Sequence, residues 1–473
     1  MLSKNTHKWL LTLVFLIFTF RFCTIDIFGS FNIFYYDLLA KNFTLGKLYV
    51  KQAPETLLKL SNPYDTNLNK QFRLQKSMHD LCLYKGHLYM HWGPVPALLI
   101  APFKFFSNAK IMDGFIFLIV LTATQLLFLK TLWLMIFHTY KKIISTFFII
   151  ISILIFNLLP NWSVIANRIA GYEIGIVFNQ FFIAGFLFFF FKAYIKKIET
   201  GMTSLQYLLL SSFSLGLAIG SRFSSICLLP ALVITWHFWM NLISNEKLKE
   251  KIKNTFTLVM PVTFCLLLIF IYNYVRFDNF FEYGQRWVLS IDPLGFKFID
   301  PSRIIPNIYY SFFIPPHLSL VFPYLKPLFP SPLFWMTHSQ IEQFPYRLAT
   351  CIQGFFVTVP IAMSVFIIPY LKKKMSIESY QQQKPMFTFF TLSMASSLCL
   401  LLPYLCTGVT IRYTCEWTFL WLCASFSAIK IILNQTADWN KRHYYLIKMV
   451  IILCVIWSVF IGVLISFDKT YSL

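Results

Sequence analysis

Charge is scarce in this 473-residue chain: 13% of its residues are Asp, Glu, Lys or Arg, and only 19 are acidic. That scarcity excludes an ordinary soluble globular domain. Together with 57% hydrophobic residues and 54 phenylalanines it points to a helical protein that crosses a membrane several times. Metal-finger spacing is missing too. The ten cysteines form no CxxC or CxxH pair, and Cys227, Cys265, Cys399, Cys423 and Cys454 fall within apolar runs, so they read as small buried hydrophobes rather than as zinc ligands or a disulfide framework. No Gly-rich phosphate loop, Ser/His catalytic set or internal repeat stands out, and no detachable soluble domain is visible. Acids are few enough that the net charge reaches +22, yet the Lys and Arg residues gather in short clusters between apolar runs. Membrane topology accounts for such clusters, and nucleic acid is not implied.

What is present in abundance is apolar sequence in runs of about 17 to 25 residues, each long enough to cross about 30 Å of hydrocarbon. Spans are expected near 9–23, 113–138, 144–161, 174–192, 204–221, 223–243, 255–275, 350–371, 385–407, 413–433 and 446–466, giving an all-α polytopic membrane protein of about 11 helices in one transmembrane domain, 1–473. The first run has the basic start of a signal sequence but ends in Arg21-Phe22-Cys23 without a small-residue cleavage site, which predicts a retained anchor. With the N-terminus inside, Lys141-Lys142, Lys196-Lys197, the run from Lys247 to Lys253, Lys372-Lys373-Lys374 and Lys441-Arg442 all fall on the cytoplasmic side. One stretch controls this parity. Pro94 to Phe106 is apolar but short and proline-rich, and is expected to re-enter or lie at the interface rather than cross.

The same parity puts 24–112 and 276–349 outside, as two long extracytoplasmic loops, the first carrying interfacial and re-entrant segments. Asp26, Asp37, Asp80, His91, Glu173, Arg222, Arg276, Arg412 and Glu416 then converge on the outer face. Ionisable groups near membrane depth are paired or functional, so this convergence marks a candidate site. Each residue taken singly also fits a helix cap, a snorkelling arginine or an ion pair, and Glu173 or Glu416 would serve as a partner for Arg222 or Arg412.

The segment from Asn32 to Gly46, with the pieces that follow it, resembles the GT-C superfamily of polyprenyl-phosphate-sugar-dependent glycosyltransferases, in which a similar first-loop helix follows the first span. Asp80 to Tyr89 followed by Gly93-Pro94-Val95-Pro96-Ala97-Leu98-Leu99 is similar to the YNGxxYxxxxPxPALLLxP stretch of bacterial members. Gly216 to Arg222, Tyr272 to Phe277 with Phe281 to Gly284, and Arg412-Tyr413 with Glu416 follow in a matching order. Asn32 and Ile33 stand where that superfamily carries its acidic pair. Either Asp26 or Asp37 then takes the catalytic role, or another acid such as Asp80 does, or the chain no longer transfers sugars.

The resemblance implies transfer of a sugar from a polyprenyl-phosphate donor to a glycan, lipid or protein acceptor at the outer face of a cell inner membrane, with membrane lipids as the surrounding partner. Such chemistry needs a carboxylate to take the acceptor proton, for which Asp37, Asp26 and Asp80 are the candidates, and cations to hold the leaving phosphate, for which Arg222, Arg412 and Lys85 are the candidates. His91, Glu173, Arg276 and Glu416 would support them. Phe-rich faces around 183–191 would line a groove for the polyprenyl tail or face lipid. No cofactor is required. A divalent metal on His79, His87 and His91 with Asp80 is a minor alternative whose spacing fits no recognised pattern. A transporter or flippase is the rival class, though no inverted repeat supports it, and a catalytically silent relative is the third.

Overall fold

The computed structural model describes residues 16–25, 34–74, 78, 80–141, 145–167, 169, 171–290, 300–322, 324–326, 353–437 and 441–467. Eight helices among them are long and apolar enough to cross a membrane: Asp113–Tyr140, Thr146–Ala166, Gly171–Thr200, Phe223–Leu242, Leu248–Phe277, Ile377–Thr407, Ile411–Thr436 and Arg442–Ile465. The chain is therefore built as a multi-pass helical membrane protein.

Three of the eleven expected spans are not among the eight. The first, 9–23, lies partly outside the described residues, of which 16–24 are helical. The helix at Leu205–Ser221 has 17 residues, about 25 Å, and packs between the 171–200 and 248–277 helices. The expected span at 350–371 is broken. A short α-turn at Phe355–Thr358 leads to a 3-10 stretch at Pro360–Ile367 before Ile368–Lys374 resumes as α-helix. Pro360 has no N–H to donate and its ring crowds the preceding turn, which explains why the chain rewinds there. The helix at 146–166 carries a similar discontinuity at Leu158–Leu159, directly before Pro160. Val95–Phe106 is a helix of 12 residues, about 18 Å, shorter than the hydrocarbon thickness of about 30 Å.

Burial sorts the helices. In their most apolar windows the 171–200 and 411–436 helices are 89% and 94% buried, whereas 248–277 and 442–465 are 22% and 28% buried. The first two are the core of the bundle and the second two face the lipid. Most of the Phe-rich stretch 183–191 belongs to that core, though not Phe188 and Phe189: Phe186, Phe190 and Phe191 are fully enclosed, with Phe191 edge-on to Phe389 and Phe190 to Trp239. These rings therefore neither face lipid nor line an open groove, because the 30-residue helix that carries them is wrapped by neighbours. Pro261 interrupts the hydrogen bonding of the 248–277 helix, and the Ser212 hydroxyl of the adjacent helix accepts the Val262 N–H at 3.1 Å. A buried donor at a proline break is thus satisfied across a helix interface.

The expected lysine clusters share one end of the bundle. Contacts near that end tie neighbouring helices: His138 to Glu199 at 3.0 Å, Lys197 to Glu246, Tyr140 Oη to Gln383 at 2.9 Å, and Gln435 to Ser379 at 2.8 Å. Lys141, Lys196, the 247–253 run and Lys372–Lys374 all sit by these junctions. The opposite end carries a helix, Tyr35–Thr44, and an unexpected small sheet. Strands β1 (Lys51–Gln52), β2 (Leu81–Tyr84) and β3 (His87–Met90) pair antiparallel in the order β1-β3-β2. Lys85 and Gly86 form the β2–β3 turn with φ of 45° and 77°, the two positive values that a type I′ hairpin needs. The sheet is two-faced: Leu81, Leu83, Leu88 and Met90 join the main core, while Cys82 and Tyr89 pack on Phe277 and Val288. The segment after the 248–277 helix runs along the sheet, with a bridge between Cys82 and Val288 and a bond from Leu289 N to Leu81 O of 3.1 Å. The two long loops of the sequence reading are thereby joined.

Candidate functional site

Buried arginines gather where the ends of the 205–221, 248–277, 377–407 and 411–437 helices meet the sheet. Arg222, at the C-terminal end of the 205–221 helix, pairs with Glu416, whose carboxylate is fully buried. Ser224 Oγ donates to the other Glu416 oxygen at 2.6 Å, and Gln180 donates to the Glu416 carbonyl at 2.7 Å. Arg222 also lies 5.9 Å from the ring of Tyr413, which stacks on Tyr404 with centroids 4.3 Å apart. Arg222 is thus neutralised within the protein and holds three helices together.

Arg276 and Arg412 differ. The Arg276 guanidinium lies 3.9 Å from the Tyr272 ring and 4.6 Å from Phe277, and donates to Met90 O at 2.6 Å and to Asn273 Oδ1 at 2.8 Å. Those bonds anchor the end of β3 to the 248–277 helix. Arg412 lies 4.1 Å from the Tyr172 ring; its Nε is buried without a hydrogen bond, and among the described residues no carboxylate lies within ion-pair distance of it. Its electrostatic neighbours are Tyr172, Glu173, Tyr413 and Asp80. Glu173 sits buried in the first turn of the 171–200 helix, where the positive end of the helix dipole favours a carboxylate.

An aromatic wall connects Arg412 to the sheet. Trp92 lies 5.6 Å from Tyr172, 4.7 Å from His91 and 6.0 Å from Tyr35, centroid to centroid. His91 Nδ1 lies 3.2 Å from the Asp80 carbonyl oxygen, and the Asp80 carboxylate accepts a hydrogen bond from Ser290 Oγ. Asp80 itself holds φ at 59°, in the left-handed region, at the entry to β2. Burial pushes the His91 imidazole down to about 4, against a smaller opposing pull from Asp80, so it is neutral at physiological pH. The unfolded chain takes a proton near pH 6.5 that the folded protein refuses until about pH 4. This group therefore contributes stability above pH 6.5 that is lost as pH falls toward 4. Thermal unfolding of purified protein across that window should show a decline that His91→Gln reduces; an unchanged pH profile in the variant would refute the assignment.

Not every predicted residue joins this group. Asp37 is buried and paired with Lys104 from the Val95–Phe106 helix, and it accepts the Ile111 N–H at 3.0 Å. Lys104 also donates to Ala109 O at 2.6 Å. On the 35–44 helix Leu38 and Lys41 are exposed, but Asp37 points inward and fastens that helix to the 95–106 helix. It is a structural clamp. Lys85 is likewise displaced from the phosphate role: it stands at the exposed hairpin turn, 2.6 Å from Asp278, which also accepts from Tyr84 Oη at 2.8 Å. Asp26, Asn32, Ile33 and His79 lie outside the described residues. His87 packs on Tyr49 at 4.3 Å instead of approaching His91, and among the described residues no group of three or more His, Cys, Asp or Glu side chains is placed to hold a metal ion.

The sequence reading missed Trp92, Tyr172 and Ser290. Trp92 directly follows His91 and Tyr172 directly precedes Glu173, but nothing in their spacing tells that the two rings meet. One close approach fixes that geometry. Gly93 lies against Gly220, where an added Cβ would overlap the Gly220 carbonyl. Gly93→Ala is expected to cost about 3 kcal/mol through overpacking, read as a lowered unfolding temperature in detergent. An unchanged temperature would show that the β3 end and the 205–221 helix are free to separate. The chain matches no protein-family model, no curated protein sequence and no solved structure.

Proposed function

We propose that this chain is an integral-membrane glycosyltransferase that moves a sugar from a polyprenyl-phosphate donor to a glycan, lipid or protein acceptor. The site lies at the bundle end opposite the lysine clusters, which the positive-inside rule makes the outer face of the membrane. One observation carries this reading: Arg412, a cation with no carboxylate in ion-pair distance among the described residues, lies against the ring of Tyr172 at one end of the aromatic wall, with Glu173 and then Asp80 as its nearest acidic influences. A guanidinium with no carboxylate in contact, at the edge of an apolar body, suits a phosphate, which it binds through two parallel hydrogen bonds.

In this reading the Asp80 carboxylate takes the proton of the acceptor hydroxyl as its oxygen bonds to the anomeric carbon. The bond from that carbon to the phosphate oxygen breaks, and the electron pair leaves on polyprenyl phosphate, whose charge Arg412 stabilises. Ser290 and the left-handed backbone at Asp80 hold the carboxylate in place, and neutral His91 leaves its charge undisturbed. Trp92 and Tyr172 pack between Arg412 and the end of β3 and hold the guanidinium in place. Arg222 with Glu416, and Arg276, keep the helix ends in position.

Membranes containing the protein, supplied with labelled polyprenyl-phosphate sugars and membrane acceptors, are expected to yield a labelled product. No product with any donor, together with substrate uptake or flipping in vesicles, would replace this reading with a transporter.

A further inference from the structure

At the opposite end of the bundle, we infer a binding site for the headgroup of an anionic phospholipid on the face of the 171–200 helix flanked by the 113–140 and 205–221 helices. Lys130 Nζ lies 5.3 Å from the Phe188 ring centroid and Lys192 Nζ lies 5.6 Å from the same ring. Lys192 is also 4.7 Å from the Tyr207 ring, and Lys196 is 6.0 Å from it. Three cations from two helices thus converge on two adjacent rings. None of the three has a carboxylate within ion-pair distance among the described residues, whereas the neighbouring Lys197 is paired with Glu246.

A single lysine over a ring is explained by snorkelling, which carries the ammonium to the membrane surface along an apolar stem. Three gathered around the same two rings are not, because like charges repel and each aromatic face offsets only part of that cost. An anion between them removes the repulsion. Depth points to a lipid as its source. Lys130 lies about 15 Å from the end of its helix at Tyr140, and Lys192 about 12 Å from the end of its helix at Thr200, near headgroup level for helices that extend past the bilayer. Toward the membrane centre the same surface continues as exposed Leu126, one turn from Lys130, and exposed Leu209 beyond Tyr207, a track suited to acyl chains. Basic pockets between helices on the positive side of a membrane protein recognise anionic headgroups in this way.

The test is native mass spectrometry of the detergent-purified full chain titrated with phosphatidylglycerol or phosphatidylcholine, with thermal unfolding measured alongside, including a titration with inorganic phosphate. Phosphatidylglycerol is expected to bind and raise the unfolding temperature. Phosphatidylcholine and inorganic phosphate should do so weakly or not at all. The combined change Lys130→Gln, Lys192→Gln and Lys196→Gln is expected to weaken phosphatidylglycerol binding roughly 100-fold, taking each lysine as worth about fivefold. Arginine at the same three positions should retain binding, which separates loss of the site from loss of the fold. Glutamine at Lys372, Lys373 and Lys374 removes equal charge from the same end and should change little. Equal binding of phosphatidylcholine, an equal response to inorganic phosphate, or equal loss in the 372–374 variant would overturn the proposal. So would undiminished binding in the 130/192/196 glutamine variant.

Discussion

Arg222→Met, with Glu416 left in place, is expected to destabilise the protein by about 3–5 kcal/mol, the usual cost of leaving one member of a buried ion pair uncompensated. The Glu416 side chain is completely enclosed, and once Arg222 is gone its charge is left to neutral neighbours, the Ser224 hydroxyl and Tyr404. Its carboxylate would be stranded at the junction of the 205–221 and 411–437 helices. Arg222→Met combined with Glu416→Leu removes both charges together and should recover most of the loss, because two apolar side chains of similar volume need no partner. Unfolding in detergent, followed by near-ultraviolet dichroism or by the exposure of Cys415, measures both variants. If Arg222→Met unfolds like the wild type, the pair does not hold the helix ends together.

Asp80→Asn is expected to lower sugar transfer by about 10²- to 10⁴-fold, the contribution typical of a positioned general base, with little change in unfolding temperature. The carboxamide keeps an oxygen for the Ser290 hydroxyl, and the His91 contact is made by the Asp80 backbone carbonyl. Asp37→Asn should behave in the opposite way: it strips Lys104 of its buried partner, so stability falls and activity falls only as far as folded protein is lost. This contrast separates a base from a clamp. Measured on purified protein with normalised folded fraction, a full rate in Asp80→Asn would remove Asp80 from the reaction.

How much of this was legible in the sequence depends on how local the determining physics is. The long spans were readable because apolar length is a local property. The shortness of the helix within Pro94 to Phe106, 12 residues, was readable for the same reason. Gathering the basic clusters at one end followed from counting spans, since each crossing switches sides. The break at Pro360 was missed because composition alone predicted one continuous run, and the sheet because its strands are two to four residues long and hidden among aromatic residues. The Lys85-Gly86 turn between alternating leucines was the available signal.

Side-chain partners were the least legible. Asp37 and Lys104 are 67 positions apart, and no periodicity connects them, so the acid looked available for catalysis. Arg222 and Arg412 looked equivalent as helix-end guanidiniums, yet they differ because Glu416 lies one turn along its helix and is claimed by Arg222 across the bundle. The choice between a structural and an available arginine is made by tertiary packing.

The most direct test maps where the donor binds. A photoreactive polyprenyl-phosphate sugar, cross-linked to the protein in membranes and located by peptide sequencing, is predicted to label residues 80–93, 171–173 and 411–413. Excess unlabelled donor should compete, and Arg412→Gln should lose the labelling. Competed labelling confined to the lysine-rich end, or full labelling in Arg412→Gln, would contradict the assignment of this cluster as the donor site.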